Sequence, residues 1–292
     1  MHKSVLLSEA LEHLNCGNGS IVLDCTLGCA GHAVEILRRI SPDGLLIGLD
    51  ADSSVVNKSV EKLKAVGGDF RIFHENFAYF DKVLASLGVK QVDAMFFDLG
   101  ISSFQLDDGQ RGFSFSNSGP LDMRMDKTRG RPLWKLLETM TEDQIGAVIR
   151  NFGEERHWRK ISRAIVEARR ISPIHDSRRL AAVVMNVPGQ GVGTRINPAT
   201  RTFQAFRIFI NDELESIKKA LLKAPRFLRD NGRIVVISFH SLEDRIVKHA
   251  FRAFAKDGLL KVVTKKPVCP REIEINANPR SRSAKMRSAE RI

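Results

Sequence analysis

The chain has 292 residues, 43% of them hydrophobic, which is enough for one large core or two smaller ones. No apolar run approaches the ~20 residues of a membrane span, and the opening Met1-His2-Lys3-Ser4-Val5 lacks the apolar centre of a signal peptide. The four cysteines form no disulfide framework, so a cytoplasmic protein with no membrane partner is expected.

In chain order, residues 4–14 carry apolar side chains at helical spacing and predict a packing or lid helix. The run Ile21-Val22-Leu23-Asp24 then reads as a strand, Gly28-x-x-Gly31 as a tight turn, and the stretch from His32 to Ile40 as a helix. This is the first unit of a nucleotide-binding α/β sheet. A dinucleotide site calls for G-x-G-x-x-G, because a pyrophosphate must sit on the helix N-terminus. The shorter pattern suits a ligand with adenosine and no phosphate, of which S-adenosylmethionine is the common one. Strand two, residues 44–50, ends in Asp50, placed to accept the two hydroxyls of a ribose. A helix over 53–66, strand three over 70–74, a helix near 80–87 and strand four over 92–98 complete four alternating units, hence a parallel sheet with right-handed crossovers. Phe77, after strand three, either covers an adenine ring or packs in the core. Cys25, Cys29 and His32 straddle the turn without a second ligand pair, so no metal is expected.

The next convincing strand lies at 233–239, too far from Asp98 for a crossover helix alone, so the intervening chain holds an insert. The division expected is 1–106 for the first part of the core, 107–205 for an inserted helical substrate-recognition domain, and 206–292 for the second part with a basic tail. Within the insert, Thr141 to Gln144 form a capping box, residues 154–170 read as one helix, and Asn197-Pro198 open a long helix running through Phe203, Ile210 and Leu221. Ser241 to Glu243 cap the helix after strand five. The last strands are placed at 259–264 and 284–292, the second of them open to an antiparallel setting. The net charge of +12 is concentrated. Residues 107–205 hold 17 Lys/Arg against 11 Asp/Glu, and residues 261–292 hold 9 against 3, which accounts for the whole excess. A near-neutral sheet with two basic attachments reads as a catalytic core with a polyanion-binding surface.

Taken as a set, the motifs resemble the bacterial small-subunit ribosomal RNA cytidine methyltransferases of the RsmH (MraW) type. The matching pieces are residues 2–6, 24–28, 48–50 and 98–107 (Asp98-Leu99-Gly100-Ile101-Ser102-Ser103-Phe104-Gln105-Leu106-Asp107). They continue through 111–115, 119–126, 153–156, 199–205, 237–248 and 278–283. The resemblance implies a class I, Rossmann-like S-adenosylmethionine-dependent methyltransferase sheet with an inserted helical domain. The activity it implies is methylation of the exocyclic amine of a decoding-region cytidine in 16S rRNA. The small ribosomal subunit is then the partner; no DNA is expected, and a homodimer is left open. Donor contacts carried over by position are Ala30, Gly31, His32, Asp50, Phe77, Asp98 and Gln105. Candidate RNA contacts are Arg111, Phe113, Arg201, Arg280 and Arg282. Two departures stand out: Ala30 where glycine is usual, which calls for a negative φ there, and Ser4 where proline is usual.

A cytosine amine is a weak nucleophile, so the chemistry needs alignment and acceptors that hold the amine. After strand four, Asp98 with Ser102 and Ser103 occupies the place where amino-methylating enzymes often carry an Asp/Asn-Pro-Pro-aromatic motif. Asp98 serves either the donor or the amine. His240 either orients the base, accepts a proton, or is satisfied beside a helix cap. The competing readings are a DNA amino-methyltransferase, disfavoured by the missing Pro-Pro motif, and a non-catalytic RNA-binding assembly factor, disfavoured by the intact glycine turn and Asp50.

Overall fold

The computed structural model of the chain describes residues 4–116, 118–189 and 197–292. After α1 (Leu7–Leu14) come β1 (Ile21–Asp24), α2 (Gly31–Ile40), β2 (Leu45–Asp50), α3 (Ser53–Val66), β3 (Asp69–His74), α4 (Phe80–Ser86) and β4 (Val92–Asp98). The strands are nearly continuous apolar runs because both faces of a parallel sheet are covered. Helix starts are set by side chains: Asp52 accepts from the Ser54 N–H at 3.0 Å to open α3, and Asn76 accepts from the Ala78 N–H at 2.8 Å to open the 3₁₀ turn before α4.

The chain then passes through α5 (Ser103–Asp107), α6 (Leu133–Thr139), α7 (Glu142–Gly153), α8 (Trp158–Ile171), α9 (Ser177–Met185) and α10 (Ala199–Asn211). It returns through α11 (Glu213–Phe227), β5 (Leu228–Ser238), α12 (Ser241–Lys256), β6 (Leu260–Val262), α13 (Glu272–Ala277) and β7 (Lys285–Arg291). The strands form one sheet in the order β3-β2-β1-β4-β5-β7-β6, parallel except for β7, which pairs antiparallel with both β5 and β6. This is the α/β, Rossmann-like class I methyltransferase sheet that the resemblance implied. Strand order reverses between β1 and β4, which opens a ligand crevice outside their C-terminal ends.

Two compact units result, residues 1–100 with 214–292, and residues 101–213. In the first, alternation along the strands feeds two cores. Leu23, Met95 and Phe97 pack with Phe80, Leu221 and Phe251, while Val22, Phe96 and Val235 pack with Leu14, Ile36 and Ile40. Each fully buried phenylalanine contributes about 1.5–3 kcal/mol. The second unit has its own core, including Leu121, Leu133, Ile149, Ile165, Leu180 and Phe206. Its limits are wider than the expected 107–205.

Three local expectations are corrected. The helix foreseen over 154–170 begins only at Trp158, because Glu154 takes a left-handed backbone (φ 47°) that ends α7. The long helix through 203–221 is two, α10 and α11. Asp212 (φ 50°) breaks it, and a partly buried ion pair between Arg207 Nε and Glu213 Oε1 at 2.8 Å braces the corner. The cap of α12 is His240, one residue earlier than expected: its Nδ1 accepts from the Glu243 N–H at 3.4 Å. His2 and Lys3 of the N-terminal motif lie outside the described residues.

Candidate active site

Three carboxylates end the strands that flank the reversal: Asp24 on β1, Asp50 on β2 and Asp98 on β4. Asp50 holds the glycine turn. Its Oδ2 accepts from the Gly28 N–H at 2.8 Å and its Oδ1 from the Asp52 N–H at 2.9 Å. Burial nevertheless pushes its carboxyl up to about 6, from an ordinary 3.8. Asp24 is buried. Its Oδ1 accepts from the Thr26 N–H at 3.1 Å, Oδ2 has no hydrogen-bond partner, and burial pushes it up to about 7.

Asp98 is the most perturbed of the three. Burial, reinforced by the negative charges of Asp24 and Glu243, pushes it up to about 8. Its backbone N–H is fixed by Thr26 Oγ1 at 2.6 Å, so the carboxyl is aimed by β1 as well as β4. Its Oδ1 is buried and unsatisfied, while Oδ2 lies 3.5 Å from Nδ1 of His32. The His32 ring rests on Phe96, with centroids 4.6 Å apart, and its Nε2 donates to the Val5 carbonyl at 2.9 Å. That bond fixes the ring with Nδ1 facing the carboxyl.

The turn between β1 and α2 is bent in a way only partly foreseen. Gly28 sits at φ +51°, and Ala30, fully buried, at φ 61°. The expectation of a negative φ at Ala30 is therefore corrected: the alanine N-caps α2 in the left-handed region, at a cost of about 1–2 kcal/mol. Gly31 is exposed, and a Cβ there would stand 2.1 Å from Ser4 Oγ, so the N-terminal segment closes against the turn. Two α3 side chains not singled out in the sequence clamp the same turn. Ser59 Oγ donates to the Gly28 carbonyl at 2.6 Å and Lys62 Nζ to the Cys29 carbonyl at 2.9 Å. The available signal was a serine within the buried stripe Val55, Ser59, Leu63.

Phe77 packs edge-on against Phe97 at 5.7 Å, yet remains partly exposed beyond β3. His240 has Nδ1 engaged in the cap, while its buried Nε2, 3.1 Å from Glu243 Oε1, makes no hydrogen bond.

The remaining candidates lie in the second unit, within residues 101–213, or in the tail. Ser102 and Gln105 form a reciprocal capping box on α5, Ser102 Oγ accepting from the Gln105 N–H at 3.2 Å and Gln105 Oε1 from the Ser102 N–H at 3.0 Å. Ser103 begins α5, and its side chain is not among those described. Arg111 and Phe113 are corrected as RNA contacts: they are only 3% and 5% exposed. The Arg111 guanidinium donates to the carbonyls of Arg124 at 3.0 Å and Met125 at 2.9 Å, where it braces a loop. Arg201 is exposed and donates to the Glu154 carbonyl. Arg280 and Arg282 are exposed in a 3₁₀ turn of the tail, anchored by the buried Ser281 between them.

The crevice fits a cationic adenosine ligand: the unsatisfied buried carboxyl oxygen of Asp98 ends β4, and Asp50, which holds the glycine turn, ends β2 on the other side of β1. The profile of the MraW methylases matches residues 1–292. The chain belongs to the MraW methylase family. S-adenosylmethionine is the methyl donor of this family. Among its members, the ribosomal RNA small subunit methyltransferase H of Syntrophus aciditrophicus is 44% identical, over 100% of this chain and 98% of that one. The protein of the same name from Geotalea uraniireducens is 45% identical at the same coverage. A solved rRNA methylase from Streptococcus thermophilus, covering 100% of this chain and 99% of its own, is 10% identical with a TM-score of 0.46, a likeness too slight to build on. No helix among the described residues is long and apolar enough to cross a membrane.

Proposed function

We propose that this MraW methylase transfers a methyl group directly to the exocyclic N4 amine of a decoding-region cytidine in 16S rRNA of the small ribosomal subunit, in the cytoplasm. The observation that carries the reading is the unsatisfied Asp98 carboxyl at the strand reversal, in a chain whose full-length relatives bear the name ribosomal RNA small subunit methyltransferase H.

S-adenosylmethionine supplies an electrophilic methyl group when bound. The protein's task is alignment, because the amine is neutral and its lone pair is drawn into the ring. In this reading Asp50 accepts the ribose hydroxyls with lone pairs left over from the turn it holds. Phe77 covers the adenine, and the backbone of Ala30, Gly31 and His32 passes beneath the donor. Asp98 faces the donor's positive charge. Methylation makes the amine strongly acidic, so the nitrogen loses its proton to an ordinary acceptor without a strong base. His240, engaged as a cap, then has an orienting role, as does Ser102.

The test is mass mapping of 16S rRNA from cells lacking the protein, paired with tritiated-methyl transfer to small subunits and to naked DNA. Loss of a single N4-methyl group and transfer only to subunits are expected. An unchanged map, or transfer to DNA, rejects the reading.

A further inference from the structure

Arg111 and Phe113 being buried, the charge excess of the insert must present itself elsewhere, and α8 is where it does. The helix carries Arg159, Lys160, Arg163, Arg169 and Arg170 against a single acid, Glu167. Arg169 is spent internally, its guanidinium donating to the carbonyls of Leu137 and Met140. The other four cations are exposed.

Three of those four line a cavity of about 520 Å³ between α8 and the end of α9, a size in the range of ligand sites. Arg159, Lys160 and Arg163 form one wall, with Glu167 further along it, and Asn186 stands opposite. The floor is apolar, with Ala164, Val183 and Val187. The arrangement is unfavourable in isolation. Arg159 and Lys160 occupy the first turn of α8, where the helix dipole disfavours cations and where there is no acidic residue. Arg159 and Arg163 are like charges at i,i+4 spacing. Among the described residues, the anion paired with this wall is Glu142, 3.6 Å from Arg163 Nε at the exposed rim. Arg159 is held in place by stacking, its guanidinium 4.3 Å from the centroid of the Trp158 ring.

We infer that this cleft seats the sugar–phosphate backbone of an RNA strand. Phosphates meet the cationic wall and complete the N-terminal turn of α8, which relieves both repulsions. Ribose edges lie on the apolar floor. Glu167 and Asn186 supply an acceptor and an amide for 2′-hydroxyl groups, the feature that separates RNA from DNA. The inference rests on the ribosomal RNA reading above, and adds a site to it.

The experiment uses the full chain with Lys160→Glu and Arg163→Glu combined, and Lys160→Gln with Arg163→Gln as the milder pair. Affinity for a naked 16S rRNA fragment and for DNA of the same sequence is followed over a range of salt, with donor affinity and melting measured alongside. Expected are a tenfold or greater loss of RNA affinity and a salt slope lowered by up to ~0.7–0.9 per lost contact. Donor affinity should be unchanged, melting should hold or rise because the repulsions are relieved, and the wild type should prefer RNA over DNA. An unaltered slope overturns the inference; so does equal binding of RNA and DNA, or a loss seen on assembled subunits but not on naked RNA, which would indicate a ribosomal protein instead. If the wild type binds RNA through the cleft but methylates no subunit, the proposed function fails and the cleft stands.

Discussion

Asp98 and His32 face each other across 3.5 Å at the strand reversal, and the Asp98 carboxyl keeps one buried, unsatisfied oxygen. With Asp98 pushed up to about 8, that carboxyl holds a proton at neutral pH in the donor-free protein. A cationic donor favours the ionised form. Donor affinity should therefore rise with pH up to about 8 and level off above it. Calorimetry in buffers of different ionisation enthalpy should show proton release on binding at pH 7. A flat profile would remove Asp98 from the donor's charge.

The same shifts set the stability profile. Asp24, Asp50 and Asp98 sit at about 7, 6 and 8, all raised from 3.8. The folded state thus keeps protons that the unfolded chain releases above pH ~4. Stability of the donor-free protein should fall as pH rises from about 4, where the unfolded carboxyls ionise, to about 8, and level off above it. Asp98→Asn should raise the melting temperature at pH 8 while weakening donor binding. A melting temperature that drops at pH 8 would contradict the assignment.

Ala30→Gly should stabilise the protein. Relief of the left-handed backbone, about 1–2 kcal/mol, outweighs the loss of one buried methyl, about 0.8 kcal/mol. Gly28→Ala should do the opposite at φ +51°. Denaturant midpoints of the two variants test the pair; a destabilised Ala30→Gly would mean that the methyl packing dominates.

Asp50→Ala should lose donor affinity tenfold or more, since hydrogen bonds to a charged group are worth about 1.5–3 kcal/mol each. Some stability should go with it, because the Gly28 and Asp52 N–H groups lose their acceptor. Calorimetry on a variant shown to be folded decides; unchanged affinity would remove Asp50 from the ribose.

Direct transfer is tested through the cysteines. Cys16 and Cys25 are buried, with burial raising both thiols, Cys29 lies in the donor turn, and Cys269 is exposed in the tail. Cys269→Ser should turn over normally, and RNA with 5-fluorocytidine at the target should form no adduct on a denaturing gel. A covalent adduct abolished by one cysteine substitution would point to ring-carbon chemistry.

Much of the first unit was legible because its signals are local. Apolar runs ending in Asp24, Asp50 and Asp98 mark strands and crevice together. What stayed hidden depends on packing across distance. Nothing near Arg111 announces that its guanidinium will reach two carbonyls 13 and 14 residues away. Asp212 breaks a stripe whose periodicity runs straight through it, since a left-handed residue leaves the apolar spacing intact. Ala30 misled for the same reason: its φ is imposed by the turn around it, clamped from α3, and alanine itself prefers otherwise.

The placement of β7 bears on how the protein comes into being. Residues 285–291 form the strand between β5 and β6, and β5 is itself separated from its neighbour β4 by the whole of the second unit. During synthesis the N-terminal strands emerge first and wait with an open edge at β4. Residues 101–213, whose core is drawn entirely from within that span, are complete before β5 leaves the exit tunnel. The sheet gains β5, β6 and β7 only after the second unit has been made. Its non-local pairings make that closing step the slow one, and truncation within the final ten residues should leave a finished insert attached to an unfinished enzyme.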